Sequence, residues 1–92
     1  MTMNREQFAR QTDELFQNQD RLSLVLYNDD FNTFEHVIES LIDVCHHTPE
    51  QAEQCAIIVH HKGRYEVKSG TYKQLLPMKK SLTDRELTVS IE

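Results

Sequence analysis

The chain is poor in everything that punctuates or staples a small fold. Its 92 residues include no tryptophan, two glycines, two prolines and two cysteines. Two cysteines cannot build the disulfide framework of a small secreted domain, so Cys45 and Cys55 read as small buried apolar residues in a reducing compartment. Cationic residues are also scarce, ten Lys and Arg against fifteen Asp and Glu, for a formal charge of −5. Phosphate contacts need the opposite balance, which argues against a nucleic-acid surface and is compatible with a cationic ligand. No apolar run approaches the roughly 18 residues of a membrane span. The first residues lack the apolar centre of a secretory signal, so no membrane association is expected and the expected location is cytoplasmic. His46-His47 and His60-His61 lie near the cysteines, but no Cys-x-x-Cys or His-x-x-x-His spacing accompanies them. Adjacent histidines point to different faces of a helix, so neither a metal site nor a cofactor is expected.

Apolar residues make up 38% of the chain, enough for one modest core. Residues 1–20 are polar, with Phe8, Leu15 and Phe16 at helical spacing, and are expected to form a flexible N-terminal arm. Residues 21–92 are expected to form the domain. Leu22, Leu24 and Leu26 alternate with smaller or polar residues, the period of a strand over 21–27. The Asn28-Asp29-Asp30 turn stops it. Asn32 is then expected to cap a helix, with Glu35 as its capping-box partner, and Phe34, Val37, Ile38, Leu41, Ile42 and Cys45 follow the 3.6-residue period. Thr48-Pro49-Glu50-Gln51 starts a second helix with Ala52, Cys55, Ala56 and Val59 on its inner stripe, and Gly63 supplies a left-handed stop. Arg64 to Lys68 reads as a strand with Tyr65 and Val67 on one face, ended by a Ser69-Gly70 turn. Thr71 caps a short third helix, Tyr72 to about Lys80, which Pro77 is expected to end or kink early. Leu87, Val89 and Ile91 alternate in a last strand, and Asp84-Arg85-Glu86 reads as a solvated face. The order is β-α-α-β-α-β. The simplest two-layer solution is an α+β domain, a three-stranded antiparallel sheet covered by three helices.

The Asn28-Asp29-Asp30 segment places short acceptor side chains where an apolar strand ends. Asn-Asp-Asp is ordinary turn chemistry, yet the cluster also suits a primary ammonium, which carries a positive charge and three N–H donors. Asn28 offers an amide oxygen, Asp30 a carboxylate and a neutral His60 a ring nitrogen. His60 alone reads equally as a surface histidine near a helix C-terminus.

Several stretches together resemble the ClpS family, adaptors of the Clp ATP-dependent protease that recognise N-degrons. They are Tyr27-Asn28-Asp29-Asp30-Phe31, Phe34-Glu35-x-Val37-Ile38, Glu50-Gln51-Ala52 and Val59-His60-x-x-Gly63. The resemblance implies a non-catalytic, monomeric adaptor with a three-stranded sheet and three helices. Such an adaptor binds substrate proteins whose first residue is Leu, Phe, Tyr or Trp and hands them to the N-terminal domain of a Clp AAA+ unfoldase. It implies that Asn28, Asp30 and His60 hold the free α-amino group, with Asp29 near the first peptide unit. It implies that Leu26, Phe34, Val37, Ala56 and Leu87 line the pocket for the first side chain. The arm would take part in delivery.

The sequence departs from the family in three places. Phe34 and Ala56 occupy pocket positions usually held by methionine. Lys73 stands where relatives carry an acidic residue, in a shortened third helix. The arm carries no family motif. A diverged interaction domain that docks on a Clp-type partner without reading N-termini is the alternative. An enzyme using Asp30 and His60 as an acid/base pair lacks any accompanying nucleophile, oxyanion hole or cofactor loop.

Overall fold

The computed structural model describes residues 21–92. The expected arm, with Phe8, Leu15 and Phe16, lies outside the described residues. The elements are β1 (Leu22–Tyr27), α1 (Phe34–Cys45), α2 (Pro49–Lys62), β2 (Arg64–Gly70), α3 (Tyr72–Asp84) and β3 (Thr88–Ile91), in the expected β-α-α-β-α-β order. The antiparallel sheet has the order β2-β1-β3, so β1 is its central strand.

The alternation of β1 decides which face meets the helices. Leu22, Leu24 and Leu26 join a core with Leu41 and Cys45 of α1, Ala52, Cys55 and Val59 of α2, and Leu75 and Leu82 of α3. Leu24, Leu26, Leu41, Leu75 and Leu82 are fully buried. Truncating any one of them to Ala should cost about 2–5 kcal/mol. The other sheet face carries the buried Val25 and a polar cluster, in which Glu92 accepts hydrogen bonds from Ser90, Tyr27 and Arg64. Those partners hold its carboxyl down at about 2.

The capping box expected of Asn32 and Glu35 does not form, whereas the one expected of Thr48 and Gln51 does, and Thr71, expected only as a cap, forms a second box with Gln74. Each box formed satisfies two backbone donors that a helix start leaves unpaired. The α2 stripe of Ala52, Cys55, Ala56 and Val59 is buried, as its spacing requires. Gly63 ends α2 at φ +90°, a conformation that costs a Cβ-bearing residue strain even where space is open.

Several details differ from the sequence expectation, each for a physical reason. Thr33 caps α1, its hydroxyl accepting from the His36 amide at 3.1 Å, and Asn32 is drawn elsewhere. β2 runs on to Gly70 because Ser69 and Gly70 pair with Ser23 and Leu22. A bulge opposite Leu24 and Val25 inserts Val67 as an extra residue, so Val67 is buried while Tyr65 stays 40% exposed. The two therefore do not share one buried face. The Val67 carbonyl at the bulge accepts from His47 Nε2 at 2.6 Å.

α3 passes through Pro77 to Asp84. Leu75 and Leu82, seven residues apart on one face, anchor it on both sides of the proline. It ends in a Schellman motif, with Leu87 N–H on the Leu82 carbonyl at 3.0 Å, Glu86 N–H on that of Thr83 at 2.9 Å, and Glu86 left-handed at φ 68°. Asp84-Arg85-Glu86 is thus a structural turn: His36 Nε2 donates to the Arg85 carbonyl at 2.8 Å, and Arg85 pairs with Asp43 at 3.1 Å. β3 starts at Thr88, and Leu87 sits buried just before it.

Both cysteines are free and buried. Burial pushes the Cys45 thiol up to about 11 against the opposing influence of Lys68, and burial likewise raises Cys55. In the folded protein both should be silent toward a disulfide-exchange reagent, and both should react in denaturant; prompt reaction under native conditions would contradict this packing. Gly63→Ala should lower stability by about 1–2 kcal/mol in urea unfolding, since only the backbone conformation opposes the new methyl group.

Candidate functional site

Three chain segments converge where β1 ends. Burial of Leu26 carries the strand to the edge of the core, and Tyr27 is its last residue. The next amide, Asn28 N–H, donates to the Gly63 carbonyl at 2.9 Å. That bond holds the beginning of the acidic turn against the end of α2, where His60 lies one turn back. The turn then folds onto α1: Asp29 Oδ1 accepts from the Phe31 and Asn32 amides at 2.9 and 2.7 Å, and Asp29 Oδ2 accepts from Asn32 Nδ2 at 2.8 Å. Asn32 Nδ2 also donates to the Glu86 carbonyl at 3.0 Å, tying in the α3–β3 turn.

A cavity of about 280 Å³ lies between these segments. It is lined by all nine residues that the sequence put forward: Leu26, Asn28, Asp29, Asp30, Phe34, Val37, Ala56, His60 and Leu87. Leu26, Ala56 and Leu87 are buried and form the apolar end, and Val37 is half-buried beside them. Asn28, Asp30 and His60 are exposed at the polar end. Tyr27, Asn32, Thr33 and Val59 complete the lining and were not foreseen there. Val59 could have been found, because it shares the inner stripe of α2 with Ala56 and precedes His60. Asn32 gave no usable signal, since its spacing matched a helix cap equally well.

The two aspartates differ in what they have left to offer. Burial works to raise the Asp29 pKa, but the hydrogen bonds from Asn32 and Phe31 outweigh it and leave the carboxyl below the usual range. Asp29 is engaged in holding the turn. Asp30 and the Asn28 side chain have no hydrogen-bond partner among the described residues. The His60 ring packs against Phe34, with centroids 5.3 Å apart at 59°, and against His61 at 5.5 Å and 73°. The arrangement is a pocket with an apolar floor and a rim of unengaged acceptors. Among the described residues no group of three or more metal-ligating side chains converges, and no helix is long and apolar enough to cross a membrane.

Residues 17–90 match the family model of the ATP-dependent Clp protease adaptor protein ClpS. The chain is 42% identical over 40 residues to the ATP-dependent Clp protease adapter protein ClpS of Nitratidesulfovibrio vulgaris, covering 44% of this chain and 40% of that relative. It is 35% identical over 63 residues to the protein of the same name from Acetivibrio thermocellus, covering 68% of this chain and 64% of the relative. The chain thus spans less than two thirds of either relative's length. The fold is similar to that of Agrobacterium tumefaciens ClpS2, solved bound to L-phenylalaninamide. The TM-score is 0.74 at 22% identity, with 79% of this chain and 95% of that chain covered.

Asp29→Ala should cost about 1 kcal/mol at neutral pH, because two backbone amides and the Asn32 amide lose their acceptor. A carboxylate whose folded pKa is depressed stabilises above its unfolded pKa and loses that contribution as pH falls through the folded value. The stability gap between wild type and Asp29→Ala in urea melts should therefore be full at pH 7 and shrink below the ordinary carboxylate range. A gap that widens on acidification would contradict the assignment.

Proposed function

The chain belongs to the ClpS family of ATP-dependent Clp protease adaptor proteins, and from that premise we propose that it captures the free N-terminal residue of substrate proteins. The observation that carries this reading is the pairing of unengaged acceptors with an apolar cavity. Asn28, Asp30 and His60 stand at the rim, while Leu26, Val37, Ala56 and Leu87 line the interior. A terminal α-ammonium presents three donors and one charge, and the rim offers an amide oxygen, a carboxylate and an imidazole ring. The attached side chain enters the cavity, where burial of a Leu- or Phe-sized group contributes about 1.5–3 kcal/mol. Asp29 acts one step removed, by fixing the turn that carries Asn28 and Asp30.

Relatives' names are consistent with this chemistry. The ligand of Agrobacterium tumefaciens ClpS2, L-phenylalaninamide, joins a free amine to a large apolar side chain. Substrates are proteins beginning with Leu, Phe, Tyr or Trp. The captured protein is handed to the N-terminal domain of a Clp AAA+ unfoldase, with residues 1–20 assisting delivery. The adaptor works as a monomer in the cytoplasm and without catalysis.

Fluorescence anisotropy with matched peptides that start with Leu or Phe, each free or acetylated, tests the reading. Acetylation removes the charge and most of the donors, so binding should fall below detection. Asn28→Ala and Asp30→Ala should each weaken the free-amine peptides about tenfold or more. Binding indifferent to acetylation would instead favour a domain that docks on its partner without reading N-termini.

A further inference from the structure

The cavity mouth is walled by aromatic rings. Phe34 is the first residue of α1, its backbone fixed by the Thr33 cap, and its side chain is 41% exposed. Its ring meets the His60 ring at 5.3 Å and 59°, and His60 is backed in turn by the His61 ring at 5.5 Å and 73°. Two different helices thus supply a pair of touching rings, Phe34 and His60, to the cavity lining. One turn before His60 on α2 stands Ala56, buried and bearing only a methyl group. The small side chain leaves depth below the rings, whereas a longer one at that position would fill the floor.

We infer that Phe34, seated against His60 over the space left by Ala56, makes this pocket selective for an aromatic first residue over an aliphatic one. The inference rests on the reading of the cavity as the site of an N-terminal side chain. Leu and Phe both gain from leaving water, in proportion to the apolar area they bury. Only an aromatic side chain adds the edge-to-face term with Phe34, which exceeds what its area accounts for. An aliphatic residue meets the same ring as apolar surface and gains nothing further. Because the ring is partly exposed and sits at a helix start, exchanging it leaves the core untouched.

The test is a comparison of ratios. The affinities of free-amine peptides starting with Phe and with Leu, otherwise identical, are measured for the full chain and for Phe34→Leu and Phe34→Tyr. Wild type should favour the Phe peptide. In Phe34→Leu that Phe-to-Leu ratio should drop about three- to tenfold, with the Leu affinity itself changed less than the Phe affinity. Phe34→Tyr keeps a ring and should keep the ratio. Thermal melts of the three proteins should coincide closely. An unchanged ratio in Phe34→Leu, while free-amine binding persists, overturns the role of Phe34 and leaves the capture reading standing. Failure of wild type to bind any free-amine peptide overturns the capture reading and this inference together.

Discussion

The hydrogen bond from the Asn28 amide to the Gly63 carbonyl, 2.9 Å, is the contact on which the site's construction depends. It joins the first residue beyond the central strand to the residue that ends α2. Both ends of the bond are held from inside the molecule. Leu24 and Leu26 are fully buried and fix β1 in the sheet. Val59 is buried and accepts the Gly63 amide at 2.8 Å, fixing the end of α2. Gly63 can make this connection because it lacks a Cβ and can hold φ +90°. With that bond in place, Asn28 and His60, thirty-two positions apart in sequence, line one cavity. The pairing of Tyr27 with Arg64 in the sheet holds the same end of β1 beside the residue that follows Gly63 and reinforces that placement.

The turn itself shows how position separates chemically identical groups. Asp29 lies two and three residues before amides that point back at it, the geometry in which an Asp side chain mimics a backbone acceptor. Its oxygens are consumed there and by Asn32. Asp30, one residue on, has no such amides in reach and keeps its acceptors available. Asn32 then links the turn to the Glu86 carbonyl, so the acidic turn, the α1 start and the α3–β3 turn brace one another. Leu87 is brought to the cavity by that same Schellman turn, through its amide on Leu82.

Much of this was legible in the sequence because it is local. Leu22, Leu24 and Leu26 encode a half-buried strand by period alone, and Thr48-Pro49-Glu50-Gln51 encodes a helix start by residue type and spacing. That nine residues line one cavity was legible through the family resemblance, while spacing alone left Asn28-Asp29-Asp30 open between turn and site. What escaped depended on contacts distant in sequence. Asn32 looked like a cap because its competing partner, the Glu86 carbonyl, lies 54 residues away. Pro77 looked like a helix end because the buried Leu82 that draws the helix onward contributes through tertiary packing. The bulge at Val67 depends on the register of β2 against β1, which no pattern within β2 records.

The distribution of satisfied and unsatisfied groups is itself informative about what the rim is for. A folded domain gains stability from polar groups that find partners, and here Asp29, Asn32, Thr33 and His36 all do. The side chains of Asn28 and Asp30 find none among the described residues, although they share the same short segment and the same solvent. Leaving them unengaged contributes little to folding, whereas a turn without them could be held by Asp29 alone. Their exposure keeps them hydrated until a donor displaces that water, so the cost of holding them open is small. A ligand that brings charge and several donors can then be recognised without disturbing the bonds that hold the turn. In the proposed function, rigidity comes from one aspartate and recognition is left to its neighbour, so a ligand binds without first unfolding the bracing that positions the turn.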